Sequence, residues 1–259
     1  MNAAEYARKL HDARINRQET PSLRTTYAFD LEEAYRIQDE GLALRHAEGE
    51  KSIGVKLGFT SKAKMVQMGV NHLIWGGLTD AMRVADAGSL DLSCFIHPRI
   101  EPEIGFLTGR DIDTALTADN CLNYIERIFP ALEIIDSRYE AFKFNLEDVV
   151  ADNTSSAAFV TGMQYPVSAF QANMGVLLKE NGKVVESGTT AAILGNPINA
   201  LVQVSALLAE RGQTLPAGSL ILAGAATAAV PLKSGSHYEA EIYGLGSVSV
   251  YTQSGADHG

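Results

Sequence analysis

Apolar positions recur along the chain at two different spacings, and the change from one to the other organises it. Over residues 2–15, Tyr6, Leu10 and Ile15 are among the apolar positions of a helical pattern that Pro21 then breaks. Asp30 predicts the cap of a second helix, with Glu33 completing a capping-box-like start. Ala34, Tyr35, Ile37, Leu42 and Leu44 give that helix one apolar face to about Glu48. From Ile53 onward short strand-like runs take over. Ile53–Phe59 reads as a strand whose glycines let another backbone approach closely. Thr60 or Ser61 predicts the cap of a short helix over Lys62–Met68, and Leu73–Asp80, with its Gly-Gly pair, reads as a loop.

Further along, Thr117 predicts a helix to about Ile128, feeding a buried strand over Pro130–Ile135. Residues 145–156 read as irregular, and Ala157–Thr161 as a strand. Asn181-Gly182, between Val176–Glu180 and Lys183–Glu186, is a hairpin signal. Asn196-Pro197 opens a helix that ends near Arg211-Gly212. Strands return at Ser219–Leu222, His237–Ile242 and Ser247–Tyr251. Helices first, then strands with one inserted helix, predict an α+β fold with a rolled or barrel-like sheet.

Composition narrows the function classes. A formal charge of −10 argues against a nucleic-acid partner, because no basic stripe exists to displace counterions. No apolar run approaches the roughly 20 residues that span a bilayer, and the N-terminus lacks the order of a signal peptide. Cys94 and Cys121 have no metal-ligand spacing; they could form one disulfide, but read rather as two buried thiols of a cytoplasmic protein.

The densest chemistry lies in His97–Leu107. Arg99, Glu101 and Glu103 share one strand parity, and Ile100, Ile104 and Phe106 the other. A third acid, Glu133, interrupts the apolar run Pro130–Ile135. Three carboxylates without His or Cys suit a hard cation, Mg²⁺ or Mn²⁺, rather than Zn²⁺. The same pattern also suits a solvated face, or a buried acid paired with Arg99 or Arg138. Lys56, in an apolar strand between glycines, reads as a pocket lysine for an anionic substrate or for acid/base work. Asp80 could hold that lysine or cap a turn, and Arg138 could fork onto a carboxylate. No GxGxxG, Walker or nucleophile-elbow pattern is present.

Taken together, these segments resemble the fumarylacetoacetate hydrolase superfamily, in its branch of 2-oxo-acid hydratases and decarboxylases. The resemblance runs from about Ile53 to Val250. It rests on Gly54–Ser61, Leu78–Asp80, Arg99–Glu103, Pro130–Glu133, Ala151–Ser155, Leu194–Pro197 and Gly244–Val248. One departure is Asn196, where relatives often carry His. Lys64–Val70 and Ser137–Phe144 look more like the decarboxylases. The resemblance implies a mixed β-sandwich or roll over 53–259 behind an N-terminal helical region, 1–52. It implies Glu101, Glu103 and Glu133 as ligands of Mg²⁺ or Mn²⁺, Lys56 and Asp80 as catalytic groups, and Ser155 near the substrate. Arg138 and Leu73 complete the candidate substrate contacts. The expected reaction is CO₂ loss from a dicarboxylic 2-oxo acid in the breakdown of aromatic compounds. Hydration of the resulting dienoate, or a metal-bound scaffold role beside a partner hydratase, are the alternatives. A homo-oligomer, and a complex with that hydratase, are expected partners.

Overall fold

Two helices open the chain, and each is started by a side chain the sequence supplies. The computed structural model describes residues 2–25, 27–60 and 73–255. Helix α1 (Ala3–Asn16) begins in a full capping box: Asn2 Oδ1 accepts from the Glu5 amide at 3.0 Å, and Glu5 Oε2 accepts from the Asn2 amide at 3.0 Å. Helix α2 (Leu31–Ala47) is capped from one side only. Asp30 accepts from the Glu33 amide at 2.9 Å, but the Glu33 carboxylate turns to Arg36 at 3.1 Å.

The remaining chain is mostly strand. In order these are β1 (Ser52–Gly58), β2 (Ile74–Thr79), β3 (Arg83–Val84), β4 (Gly88–Asp91), β5 (Arg99–Thr108) and β6 (Ile125–Ile135). After a short helix α3 (Leu146–Ala151) come β7 (Ser156–Thr161), β8 (Tyr165–Pro166), β9 (Gly175–Glu180) and β10 (Lys183–Thr189). Helix α4 (Ile198–Glu210) precedes β11 (Leu220–Ala225), β12 (Val230–Pro231), β13 (His237–Ile242) and β14 (Gly246–Gln253).

They form a curled nine-stranded sheet, β2-β1-β11-β5-β6-β7-β3 with β12 and β8 at its margins, and a five-stranded sheet, β10-β9-β13-β14-β4. Both are mixed: β1–β11, β3–β7 and β14–β4 are parallel pairs, and the others antiparallel. The α+β architecture with a helical start is therefore as expected. At the β9–β10 hairpin Asn181 and Gly182 both take positive φ, 51° and 77°, the backbone an Asn-Gly turn favours.

Alternation on β5 and β6 decides what each face touches. Ile100, Leu132 and Ile134 pack against Leu178, Tyr238, Ala240, Val248 and Val250, sealing one sheet on the other. Further along the same parity of β5, Ile104 and Phe106 join the cluster that contains Leu201, Val204 and Leu208 of α4. The opposite face turns into the curl, where Leu78, Phe129, Ala131, Phe159, Leu220 and Leu222 form an apolar floor. Gly105 is small for a reason: a Cβ there would lie 2.1 Å from the Phe129 ring.

Four expectations are corrected. Leu73–Asp80 is not a loop, because Ile74–Thr79 is β2, buried throughout and paired with β1. Its glycines serve packing, since a Cβ on Gly76 would strike the Asn153 carbonyl and one on Gly77 the Leu42 side chain. The helix from Thr117 shrinks to a single 3-10 turn, Cys121–Tyr124, and β6 already starts at Ile125. The long ladder with β5 outweighs a weak helical period. Residues 145–156 are not irregular: Asn145 and Asp148 form a capping box on α3, and a 3-10 turn, Asn153–Ser155, follows. Cys121 is buried as expected, but Cys94 is exposed. The helix expected over Lys62–Met68, and the segment Lys64–Val70, lie outside the described residues.

Candidate metal centre

The ladder between β5 and β6 sets Glu101 directly opposite Glu133 and Glu103 opposite Ala131. All three carboxylates therefore point into the curl. One oxygen from each lies within 4.8 Å of the others, and the residues are 5%, 0% and 0% exposed. Beside them, β11 departs from regular register between Leu222 and Ala225. In that bulge the Gly224 amide leaves the ladder and donates to Glu103 Oε2 at 2.8 Å.

Lys56 enters from β1. Its Nζ lies 2.8 Å from Glu133 Oε1 and donates to the Thr154 carbonyl at 3.0 Å. Burial, reinforced by the charges of Glu133 and Glu101, pushes the Glu103 carboxyl well above the usual carboxylate range against the pull of Lys56. Glu133 is raised as well, chiefly by burial, with Lys56 opposing.

That imbalance is the test of whether a cation fits. Among the described residues, three clustered carboxyls stand beside one buried ammonium, Lys56, an acidic set of the sign that a dication answers. As carboxylates, Glu103 Oε1 and Glu133 Oε2 are buried and face no hydrogen-bond donor among the described residues. The donor set is oxygen alone, which suits Mg²⁺ or Mn²⁺. The residues present fit such an ion.

Above the cluster is a cavity of about 540 Å³, bordered by Lys56, Glu101, Thr154 and Ser155. Its polar wall is a strained turn. Asn153, Thr154 and Ser155 all take left-handed φ, 49°, 53° and 57°, at a cost on the order of 1–3 kcal/mol each. The turn is pinned to β2: Asn153 exchanges two hydrogen bonds with Gly77, at 2.8 and 2.9 Å, and Thr154 Oγ1 donates to the Trp75 carbonyl at 2.8 Å. This conformation aims the Thr154 carbonyl at Lys56. It also leaves the buried Ser155 Oγ without a hydrogen-bond partner among the described residues.

The structure thus gathers Glu101, Glu103, Glu133, Lys56 and Ser155 in one place. Three other candidates lie elsewhere. Asp80 is exposed and accepts from the Lys51 and Ala81 amides at 2.8 and 3.0 Å, which lowers its pKa. It does not reach Lys56, because the β1–β2 register sets its neighbour Thr79 against Ser52. Arg138 is buried, but its guanidinium binds the carboxylate and carbonyl of Asp152. Leu73 is buried in the core, and its neighbour Ile74 borders the cavity instead. Arg99 and Phe142 also border the cavity. Arg99 was legible from its shared parity with Glu101, whereas Phe142 carries no signal in the sequence.

The chain belongs to the fumarylacetoacetate (FAA) hydrolase family, whose C-terminal domain profile matches residues 54–251. It is 46% identical over 252 residues to a 4-oxalocrotonate decarboxylase of Pseudomonas sp, covering 97% of this chain and 98% of that one. To a 2-keto-4-pentenoate hydratase of Paraburkholderia xenovorans (strain LB400) it is 36% identical over 260 residues, covering 98% and 96%. A solved 4-oxalocrotonate decarboxylase from Pseudomonas putida G7, complexed with magnesium and adipate, superposes with a TM-score of 0.91. That pair is 39% identical and covers 96% of this chain and 97% of the other. Among the described residues no helix is long and apolar enough to cross a membrane.

Proposed function

We propose that the chain is a divalent-metal-dependent carboxy-lyase that releases CO₂ from 2-oxohex-3-enedioate (4-oxalocrotonate), leaving 2-hydroxypenta-2,4-dienoate. The observation that carries this reading is the oxygen-only carboxylate cluster with Lys56 beside it at the base of one cavity. The 46% identity to a decarboxylase supports it.

Glu101, Glu103 and Glu133 would hold Mg²⁺ or Mn²⁺, which supplies Lewis acidity toward a 2-oxo acid. The substrate is a vinylogous β-keto acid. As its C5–C6 bond breaks, the electron pair moves through the C3–C4 alkene toward the C2 oxygen, and CO₂ leaves. Lys56 would donate toward that oxygen as charge gathers on it, with the Thr154 carbonyl orienting the ammonium. Ser155 Oγ, which has no hydrogen-bond partner among the described residues, would hydrogen-bond the substrate. Phe144 and Val149 line the cavity with apolar surface that excludes water while charge migrates.

Homo-oligomeric assembly, association with the hydratase that consumes the dienoate, and a cytoplasmic location belong to the same reading. So does the division into a helical region, 1–52, and a catalytic domain, 53–259. Light scattering of the purified chain, with and without that hydratase, tests the assembly. The activity itself is tested by supplying 4-oxalocrotonate with Mg²⁺ or Mn²⁺ and following CO₂. Metal-dependent CO₂ release is the expected result. Consumption of 2-hydroxypenta-2,4-dienoate with no CO₂ from the diacid would make the chain a hydratase.

A further inference from the structure

We infer that Arg99 is the residue that recognises the second carboxylate of a dicarboxylate substrate, an inference resting on the decarboxylase reading of the same cavity. Arg99 opens β5 on the parity of Glu101 and Glu103, is partly buried, and borders the cavity. Among the described residues its guanidinium makes no ion pair and no hydrogen bond. It lies instead over the Phe142 ring, 4.5 Å from the centroid. A guanidinium held by a ring keeps its five N–H donors available for a planar carboxylate, which it can grip with two parallel bonds.

The ring beneath it is held at some cost. Ala141 and Phe142 both take left-handed φ, 52° and 58°, a strain that persists only where the surroundings impose it. The segment after α1 does so. Glu19 Oε2 accepts from the Ala141 amide at 3.1 Å, the Thr20 amide donates to the Arg138 carbonyl at 2.8 Å, and the Thr20 carbonyl accepts from the Glu140 amide at 3.1 Å. Phe144 supports the ring from 5.4 Å, and His97 meets it edge-on at 6.3 Å. The 3.1 Å contact of His97 Nε2 with Glu19 Oε1 ties this group together. Three separate stretches of chain thus converge on one ring that carries one unpaired arginine.

The spacing selects ligand length. Two residues along a strand are about 7 Å, which separates the origin of the Arg99 side chain from that of Glu101. Five C–C bonds in an extended six-carbon diacid put its two carboxylate carbons roughly 6 Å apart. With the 2-oxo-acid end at the carboxylate cluster, the far carboxylate arrives near Arg99. A five-carbon monoacid would leave the arginine unpaired. Because CO₂ leaves uncharged, the ion pair exists in the ground state and weakens toward the transition state. Loss of the pair therefore raises KM without lowering kcat.

The test uses two competitive ligands that differ by this one group, 2-oxohexanedioate and 2-oxopentanoate. Their binding to wild-type and Arg99→Met protein in Mg²⁺ is measured by calorimetry, beside the kinetics with 4-oxalocrotonate. The expected result for Arg99→Met is about 10–100-fold weaker binding of the diacid, the loss of one charged bidentate contact. Binding of the monoacid stays within about twofold, and KM rises while kcat does not fall. Arg99→Lys, which keeps the charge without the fork, should recover part of the loss. Equal weakening of both ligands, no weakening of either, or a fall in kcat at constant KM would overturn the assignment. Absence of turnover in the wild type would count against the decarboxylase reading instead, because the ligand comparison does not depend on turnover.

Discussion

Glu101 and Glu133 stand directly opposite each other on adjacent antiparallel strands, both buried, with Glu103 two residues further along the same face. Like charges in that relationship destabilise a sheet. Among the described residues Lys56 offsets part of that repulsion, and a dication held by the three acids would offset more. Mg²⁺ at 100 times its Kd should therefore stabilise the protein by about 2.7 kcal/mol, a rise in Tm of roughly 5–10 °C. Glu101→Gln, Glu103→Gln and Glu133→Gln should each lose most of that shift and about a thousandfold or more in turnover, while their metal-free Tm is no lower than wild type. Thermal unfolding with and without Mg²⁺ decides it. A variant that keeps both the shift and near-normal turnover is not a ligand variant.

Lys56 stands in a different relation to the cluster, because it competes with the cation for Glu133 and faces the cavity. Lys56→Met retains the apolar stem and removes the charge. Turnover should fall at least about a hundredfold, the scale of one positioned donor or proton-transfer group. Mg²⁺ affinity should hold or rise, since a competing cation is gone. Calorimetric titration of Mg²⁺ beside the CO₂ assay separates the two effects, and a variant whose only defect is weaker metal binding would remove Lys56 from the chemistry.

The acids were legible in the sequence because β5 alternates cleanly and because Glu133 breaks an apolar run; both are properties of a single strand. The hairpin and the caps at Asn2 and Asp30 were readable for the same reason. What escaped depends on contacts between distant segments. Gly76 and Gly77 look like a loop until Asn153 and Leu42 are packed against them. Arg138 looks available for substrate until Asp152, 14 residues on, is found under its guanidinium. Asp80 stands apart from Lys56 through register, bonded to the Lys51 amide at the far end of β1.

Gly224 links backbone conformation to the acids. Its φ of +109° disfavours any side chain, and a Cβ there would lie 2.1 Å from Thr60 Oγ1. Gly224→Ala should cost on the order of 1–3 kcal/mol through crowding and strain, or roughly 2–10 °C in Tm. It should also weaken Mg²⁺ binding, because the displaced amide no longer orients Glu103. Gly218, also at positive φ (+83°) but with open space for 4 Å around the place a Cβ would occupy, is the control. Gly218→Ala should lose stability without touching metal affinity, and equal effects of the two on Mg²⁺ would refute the link.

Asp152 lies behind the strained turn, fully enclosed with Arg138. Burial pushes its carboxyl up to about 6, even though Arg138 pulls it down. An unfolded aspartate titrates near 3.9, so the folded state holds this proton more tightly. The sign follows: the associated stability is complete below about pH 4 and is lost as pH rises through about 6, amounting to about 3 kcal/mol at most. Asp152→Asn removes the titration while keeping an oxygen for Arg138 to bond. Urea unfolding of both proteins from pH 4.5 to 7 should show the variant gaining on wild type as pH rises. A difference that stays flat across this window would mean that Arg138 keeps Asp152 ionised throughout, and that the pair answers to the arginine rather than to burial.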